Sequence, residues 1–342
     1  MNIGCRIAPL FAAFALSMAP AFAQPFLFRA YLASDGSDSN PCTLAQPCRL
    51  LPAALAAVMT GGEIWMLDSA NYNTGPVGID KSVTVLAIPG AVGSLVARND
   101  EVYPNAIYTA SNNIKVTLRN LSITPLSGSG AGHTSGVIIS TIAVVHMEGC
   151  VVAGHQGNGV VVNSLGAVAH ITDSTIRDNG NSGVFVQGGG RAFVARTVIS
   201  ENTEGVLVTA FDINPTTADI SDSVFRRNQY GVRAESGVPT GVVKVSVHTS
   251  QVVANSNYGL IATSNSGAAV SLAAGNNVIS GNATSGIAAE NAGSKIWASA
   301  NLVSHNGYGF FNNGGNFESA GNNALRDNIQ NKFGTITMVP TE

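Results

Sequence analysis

The sequence predicts an all-β solenoid, a parallel β-helix of about eleven coils that follows a short N-terminal capping helix. The first observation is a glycine followed by an apolar residue, which recurs eight times at spacings of 22 to 28 residues. The second is an asparagine three or four residues before most of these glycines, with His155 in that place in the second unit. A fixed repeat of this length is typical of a solenoid. The eight glycines are Gly136, Gly159, Gly183, Gly205, Gly231, Gly259, Gly286 and Gly309.

The third observation is the pattern inside each unit. Each unit has short runs with period-two alternation, such as 183–187, 192–195 and 197–199, and the turns between such runs are often rich in Gly, Asn or Ser. Alternation over three to five residues indicates strands, and strands this short must pair with their equivalents in the next unit to be stable. A propeller and a two-sheet sandwich are the alternatives. Propeller blades need about 40 residues and sandwiches need tight hairpins, and the sequence has neither feature.

The repeated glycines and asparagines mark turns. We expect them at fixed places because a turn there needs a positive φ, which these residues adopt at low cost. Stacked asparagines should also hydrogen-bond along the solenoid axis, as side-chain ladders do in cross-β structures. The strand pattern continues more weakly back to about residue 62.

The N-terminal region divides into two segments. Residues 1–23 have one arginine, a short apolar run and Ala21-Phe22-Ala23, a pattern that predicts a signal peptide cleaved before Gln24. An uncleaved membrane anchor is the alternative. Residues 24–61 form an entry segment whose alanine-rich stretch 50–59 predicts a helix that caps the first coil, and residues 62–342 form the β-helix. The expected location is therefore secreted or periplasmic.

Three cysteines remain after removal of the signal peptide. Cys42 and Cys48 bracket a short turn, so in an oxidising compartment we expect a disulfide between them. Cys150 has no neighbouring base or cation and is expected to be a buried, unreactive residue.

The repeat units also resemble a known family. Asn179-Gly-Asn-Ser-Gly-Val184 resembles the repeat of the right-handed parallel β-helix proteins of the pectin-lyase-like superfamily. The opening segment from Tyr31 to Cys42, followed by Gln46-Pro-Cys48 and the alanine-rich stretch, is similar to the N-terminal entry of secreted bacterial members. The resemblance implies the fold but no single activity, since the superfamily includes lyases, hydrolases, epimerases, esterases, adhesins and phage spikes.

Composition excludes other classes of protein. The formal net charge is −3 and lysine plus arginine number 17, so a basic nucleic-acid-binding protein is not expected. The hydrophobic fraction of 45% is too high for a disordered chain. No later segment has the run of about 18 apolar residues that a transmembrane helix needs. Histidine and cysteine spacings do not match a zinc site, and we expect neither a metal nor a cofactor.

Candidate catalytic residues come from stacking the repeats. Glu235 and Glu290 should lie two coils apart, with about 9.6 Å between their backbones, near the carboxylate spacing of inverting glycosidases. Asp178, Glu201 and Arg227 each precede the asparagine of their unit and should stack as a second group. The two acids could serve as acid or base, but an exposed ion pair between Glu201 and Arg227 is the simpler interpretation.

Candidate substrate-binding residues include Arg227 of the second group and outward-facing residues of the strands that follow the repeated glycines. Arg233 and Arg227 would hold substrate carboxylates. Asn163 and Gln187 belong to a polar row that would suit a long carbohydrate chain, although ordinary exposed strand residues would produce the same pattern.

Two functions fit these observations. The first, favoured by the scarcity of charge and the absence of a carboxylate cluster, is an exported protein that binds or organises polysaccharide or a cell-surface partner without catalysis. The alternative is a carbohydrate-active enzyme, namely a polysaccharide lyase, hydrolase or epimerase that acts on an extended polymer along the rod. Incubation with acidic and neutral polysaccharides would discriminate them, because an enzyme would release new ends and a Glu235→Gln variant would lose this activity.

Overall fold

A computed structural model describes residues 26–98, 104–126, 134–265 and 267–339. The predicted signal peptide, residues 1–23, lies outside the described residues. Within them the chain is almost entirely β-structure, with one short helix, α1 (Leu51–Ala57). This helix is not long and apolar enough to cross a membrane.

The described strands are short, mostly three to seven residues. In chain order they are β1 Leu27–Leu32, β2 Val58–Met66, β3 Ala70–Asn71, β4 Val77–Ile79, β5 Val83–Ala87, β6 Gly93–Ala97, β7 Asn105–Thr109, β8 Ile114–Arg119, β9 Leu121–Pro125, β10 Ser135–Ile139, β11 Ala143–Glu148, β12 Val151–Ala153, β13 Val160–Asn163, β14 Val168–Thr172, β15 Thr175–Arg177, β16 Ser182–Gln187, β17 Arg191–Ala195, β18 Val198–Ser200, β19 Glu204–Ala210, β20 Thr216–Ser221, β21 Val224–Arg226, β22 Tyr230–Ser236, β23 Val242–His248, β24 Gln251–Val253, β25 Tyr258–Ser264, β26 Ala269–Gly275, β27 Val278–Ser280, β28 Ser285–Glu290, β29 Ser294–Ser299, β30 Leu302–Ser304, β31 Tyr308–Asn313, β32 Asn316–Ser319, β33 Ala324–Arg326, β34 Gln330–Phe333 and β35 Ile336–Met338.

The strands form three parallel sheets. Sheet 1 has 13 described strands in the order β1-β2-β5-β8-β11-β14-β17-β20-β23-β26-β29-β32-β35. Sheet 2 has 11, from β3 through every third strand to β33, and sheet 3 has 11, from β4 in the same way to β34. Each coil thus contributes one strand to each sheet and pairs with the coils before and after it, which confirms the predicted solenoid.

The strands alternate as the sequence pattern predicts. In β11, Ala143, Val145 and Met147 are buried, whereas Glu148 is exposed. The inward side chains of the three sheets form one continuous core, whose largest fully buried members include Phe225 and Phe310. The outward positions are therefore the ones available for function.

The N-terminal end is closed by the entry segment. β1 pairs in parallel with β2, and the predicted disulfide between Cys42 and Cys48 is present. The helix is shorter than predicted and ends at Ala57, because Val58 already pairs with Leu27 as the first residue of β2. Strand β2 continues through residues 61 and 62, so the entry segment passes into the first sheet without a break.

The turn between sheets 2 and 3 holds the asparagine ladder. The Oδ1 atom of Asn228 accepts hydrogen bonds from both the backbone N–H and the Nδ2 of Asn202, each at 3.0 Å. Nδ2 of Asn228 donates to the carbonyl of Ile199 at 3.1 Å. The same pattern links the ladder members Asn179, Asn202, Asn228, Asn255, Asn282, Asn306 and Asn328.

His155 stands at the start of this ladder. Its backbone N–H donates to Oδ1 of Asn179 at 3.2 Å, and its Nε2 lies 3.2 Å from the carbonyl of Ile123. In a later coil, Nδ2 of Asn228 donates to the equivalent carbonyl, that of Ile199 in the preceding coil. The imidazole of His155 therefore takes the place of the asparagine amide as the hydrogen-bond donor. Nδ1 of His155 is buried without a partner, and burial lowers the pKa of this side chain to about 4.

The positive φ proposed for the repeated glycines and asparagines is wrong. The left-handed residue of this turn is the one just before the ladder asparagine, such as Glu201 (φ 61°) or Arg227 (φ 54°), and neither the repeated glycines nor the ladder asparagines are among the positive-φ residues. They are glycines because neighbouring coils approach closely there. A Cβ at Gly205 would lie 2.4 Å from the carbonyl oxygen of Gly231 in the next coil.

A second ladder occupies the turn between sheets 1 and 2. Backbone N–H groups donate to the side-chain oxygen of the next coil, as from Thr197 to Ser223 at 3.2 Å and from Asn277 to Asn301 at 3.0 Å. Cys150 lies at the start of this ladder and donates its N–H to Ser174. It is buried and unpaired, and burial raises the pKa of its thiol to about 11, as expected of an inert cysteine.

Candidate functional site

A groove runs along the outer face of sheet 1 between strands β17 and β29. Its volume is about 640 Å³. Two outward rows of side chains form its floor, because the strands stack in register and each row receives one residue from every coil. One row is Arg191, Thr217, Lys244, Ser271 and Lys295, and the other is Phe193, Asp219, Ser246, Ala273 and Trp297.

The first row carries a cation on every second strand. Arg191, Lys244 and Lys295 alternate with a threonine and a serine. Because neighbouring strands lie about 4.8 Å apart, the backbones of successive cations are separated by roughly 9.6 Å. The three cations are exposed at the groove surface.

Two of these cations have no counter-ion in the described part of the chain. Lys295 is 3.1 Å from a carboxylate oxygen of Glu318, whereas Arg191 and Lys244 form no ion pair with a described residue. Among the described residues that line the groove, the acid is Asp219, whose carboxylate accepts a hydrogen bond from the hydroxyl of Ser246. The groove floor thus has an excess of positive charge, although the whole chain has a formal charge of −3.

Aromatic rings mark the two ends of the second row. Phe193 and Trp297 lie four strands apart, roughly 19 Å at the spacing of a parallel sheet. Phe193 keeps 37% of its surface exposed. Pro215, in the loop before β20, forms part of the wall. Exposed aromatic rings can bind the apolar faces of sugars. The neighbouring cations can bind sugar carboxylates.

The residues predicted from the sequence lie elsewhere, and several of them meet on sheet 3. Glu235 and Glu290 are two strands apart with Thr263 between them, as the repeat predicts. Nη2 of Arg233 is 2.6 Å from a carboxylate oxygen of Glu235. Glu290 accepts a hydrogen bond of 2.8 Å from the hydroxyl of Tyr258.

The structure adds a carboxylate that the sequence analysis did not select. Glu204 lies on the strand before Arg233, with 3.8 Å between its Oε1 and Nη1 of the arginine. Burial raises the pKa of Glu204, while a hydrogen bond from Ser182 and the nearby arginine oppose that shift. A half-buried acid with a raised pKa can hold a proton for transfer at a higher pH than an ordinary glutamate. Burial and the hydrogen bond to Glu290 also raise the pKa of Tyr258.

The remaining predicted residues are separate from this cluster. Asn163 and Gln187 are adjacent in register on the earlier strands of sheet 3. Asp178 and Glu201 lie in the turn between sheets 2 and 3, where Asp178 pairs with Arg177 and Glu201 pairs with Arg227. The exposed ion pair that the sequence allowed between Glu201 and Arg227 is therefore present.

Sequence reasoning missed the groove because it followed the strand after each repeated glycine, which belongs to sheet 3. An alignment of the next strand in every unit would have placed Arg191, Lys244 and Lys295 in one column. An alignment of strands does not predict that the loop containing Pro215 forms a wall of the groove. Among the described residues, no three His, Cys, Asp or Glu side chains lie close enough to hold a metal ion.

Comparison with known proteins agrees with the architecture. Residues 105–273 match a family model described as a right-handed beta helix region. Together with the three parallel sheets, this match shows that the chain has the fold of a right-handed parallel β-helix. A search of curated proteins found no significant match.

Similar solved structures include three enzymes. A pectate lyase, Pel9A, has a TM-score of 0.60 at 18% identity, covering 87% of this chain and 78% of its own. The A-module of the mannuronan C-5 epimerase AlgE4 of Azotobacter vinelandii has a TM-score of 0.61 at 14% identity, covering 91% and 100%. An alginate lyase from Paenibacillus has a TM-score of 0.54 at 14% identity, covering 85% and 100%. At these identities the likeness shows the shared fold alone.

Proposed function

We propose that this protein binds an extended acidic polysaccharide in the groove of sheet 1. The observation that carries the proposal is the row Arg191, Lys244 and Lys295, in which a cation recurs at every second strand along an open groove. A straight polymer with anionic groups at a matching repeat of about 10 Å can contact all three at once. The aromatic rings at either end would stack on its sugar rings.

The setting supports this proposal. The similar structures are named for enzymes of pectate, mannuronan and alginate, which are carbohydrate polymers. The disulfide between Cys42 and Cys48 fits an oxidising compartment, and with the predicted signal peptide it supports a secreted or periplasmic protein. Such a protein would meet polysaccharide at the cell surface or outside the cell.

The test measures binding of polygalacturonate, alginate and a neutral glucan to the wild type and to an Arg191→Ala/Lys244→Ala variant. We expect the wild type to bind an acidic polymer, and the variant to bind it about 30-fold more weakly, since each cation facing an anionic array contributes on the order of 1 kcal/mol. The matched control is Arg226→Ala/Lys332→Ala, which removes two exposed cations outside the groove. Equal losses in both double variants would contradict a specific site.

The second proposal is that the protein also acts on an acidic polymer as an enzyme, either in the groove of sheet 1 or on sheet 3. The observations that favour it are Asp219, which lies among the cations of the groove, and Glu204 on sheet 3, whose pKa is raised by burial. Glu235 and Glu290 remain proposed catalytic residues beside Glu204, with Arg233 as a substrate-binding residue. Asp178, Glu201, Arg227, Asn163 and Gln187 also remain proposals, although the ion pairs of the first three reduce their availability.

Eliminative cleavage is one reaction that such groups could perform. A base removes the proton on the carbon that bears the uronate carboxylate, the electron pair forms a carbon–carbon double bond, and the glycosidic oxygen leaves with its bonding electrons and takes up a proton. Epimerisation begins with the same proton and returns one to the opposite face. Cations that neutralise the carboxylate assist both reactions.

The enzymatic test follows unsaturated ends, reducing ends and sugar composition after incubation with each polymer. Loss of product in Asp219→Asn places the chemistry in the groove, whereas loss in Glu204→Gln or Glu235→Gln places it on sheet 3. Binding without any product would contradict the enzymatic proposal and leave the binding proposal in place.

A further inference from the structure

A second pocket lies on the outer face of sheet 1, closer to the N-terminus than the groove. Its volume is about 260 Å³, and it spans strands β8, β11 and β14. Two threonine hydroxyls, Thr117 and Thr172, contribute to its lining. The ionisable side chains that line it are Lys115, Arg119, His146, Glu148 and His170.

The two histidines form a stack that reaches the groove. The rings of His146 and His170 are nearly parallel, with centroids 4.6 Å apart, and His170 stacks in turn on Phe193 with centroids 4.8 Å apart. Phe193 is the aromatic residue at the near end of the groove. The pocket and the groove are therefore neighbouring parts of one face, and a polymer that extends past Phe193 meets the two imidazoles next.

The charges of the pocket favour an anion. Arg119 is paired with Glu148, while Lys115 forms no ion pair with a described residue. With both imidazoles neutral, the pocket has one positive charge in excess; with both protonated, it has three. On the next strand, β17, the facing charge is Arg191, which is also positive.

Without a ligand, the surroundings disfavour protonation of the two imidazoles. Burial, the neighbouring His170 and the Lys115 ammonium lower the pKa of His146, and Glu148 opposes this only in part. Burial and Lys115 lower the pKa of His170. An anionic group between these side chains would remove the repulsion, because it would be attracted to every one of the cations.

We propose that this pocket is a subsite for an anionic group of the polymer, and that the two histidines take up protons as that group binds. The proposal rests on the proposed function, because it assigns the groove's polymer to a second site on the same face. Since binding and proton uptake are linked reciprocally, the affinity must rise as the pH falls through the titration range of the two imidazoles. The pocket would then strengthen the hold on an acidic polymer in acidic surroundings.

The test uses dextran sulfate, whose sulfate groups stay ionised throughout, so that any change in affinity with pH comes from the protein. Its dissociation constant is measured at about pH 8 and about pH 5.5 for the wild type, for His146→Gln/His170→Gln and for His248→Gln. His248 is the matched control, because it is an exposed histidine on sheet 1 outside both the pocket and the groove. We expect at least about ten-fold tighter binding at the lower pH for the wild type and the control, and little change for the double variant.

A second measurement needs no polymer. The imidazole resonances of His146 and His170 are titrated by NMR with and without inorganic sulfate, which should raise both pKa values in the wild type. Circular dichroism verifies that each variant remains folded at both pH values.

The outcomes separate the two proposals. Dextran sulfate binding with the same pH dependence in the double variant would overturn the histidine subsite and leave the groove proposal intact. Failure of the wild type to bind any acidic polymer, together with a sulfate-induced rise in the histidine pKa values, would overturn the groove proposal and support the pocket as a site for small anions. Failure of both measurements would overturn both.

Discussion

Two columns of polar side chains run along this solenoid, the asparagine ladder inside it and the cation row on the outer face of sheet 1. They differ in whether their polar groups have partners within the chain. The asparagine ladder is buried from Asn179 to Asn306, and its amides bond to the next coil or to a backbone carbonyl. The cation row of sheet 1 is exposed, and Arg191 and Lys244 have no ion-pair partner among the described residues. Side chains whose hydrogen bonds are all made within the chain stabilise the fold. Exposed charges without a partner in the chain are available to a ligand.

Sheet 3 lies between these two extremes. Its outward charges are half-buried and largely satisfied by one another, as in the pair of Arg233 with Glu235. We therefore expect substitutions in the asparagine ladder to reduce stability most, and substitutions of the charged residues of sheet 3 to have intermediate effects. Substitutions in the cation row of sheet 1 should affect binding rather than stability.

Breaking the inside column should have the largest effect. Asn228→Ala removes the acceptor for two groups of Asn202 and the donor to Ile199, all of them buried. Each buried polar group left without a partner costs about 1–3 kcal/mol, so we expect a loss of about 4 kcal/mol in the free energy of unfolding. Urea unfolding measures this loss. The control Asn163→Ala, at an exposed position on sheet 3, should change it by less than about 0.5 kcal/mol, and equal losses would refute the distinction.

His155, at the first position of the asparagine ladder, should make the stability of the fold sensitive to acid. The pKa of His155 is lowered from 6.5 to about 4 by burial, so well above pH 6.5 this residue is neutral in both the folded and the unfolded chain. As the pH falls from 6.5 to 4, the unfolded chain takes up a proton that the folded chain does not. Stability should therefore fall by about 3 kcal/mol over this range.

His155→Asn should remove this part of the acid sensitivity, because asparagine restores the ladder donor and does not titrate. The measurement is the difference between the free energies of unfolding at about pH 7 and about pH 4.5, compared between the variant and the wild type. An unchanged difference would show that His155 is not the group responsible.

Removing the central cation of sheet 3 should have an intermediate effect. Arg233→Ala leaves the half-buried Glu204 and Glu235 without their positive neighbour, and we expect a loss of about 2 kcal/mol in the free energy of unfolding. A loss below about 0.5 kcal/mol would contradict this prediction, because it would show that Arg233 contributes as little to stability as the exposed cations of sheet 1.

The smallest effect on stability is expected at Lys244. Lys244→Ala should change the free energy of unfolding by less than about 0.5 kcal/mol, because its ammonium is exposed and forms no ion pair. The same substitution should weaken binding of an acidic polymer about five-fold, whereas Arg226→Ala, which removes an exposed cation outside the groove, should leave that binding unchanged. Thermal unfolding and a binding isotherm on the same samples would test both expectations.

The sequence by itself determined the solenoid. Spacing of the Gly–apolar pairs and alternation within short runs predicted the coils and the inward rows, because both depend on local periodicity. The disulfide was predicted because Cys42 and Cys48 are close in the chain. The register between Glu235 and Glu290 followed in the same way. The reason for the glycines did not, since close contact between Gly205 and Gly231 depends on how tightly two coils pack.

Only the tertiary structure decided which outward row is open. Arg191, Lys244 and Lys295 are more than 100 residues apart from first to last, and they share a groove because four parallel pairings hold their strands in register. The stack of His146, His170 and Phe193 arises in the same way. Whether a charge is satisfied depends on side chains that reach it from neighbouring coils and turns, and this depends on three-dimensional packing that no single repeat encodes.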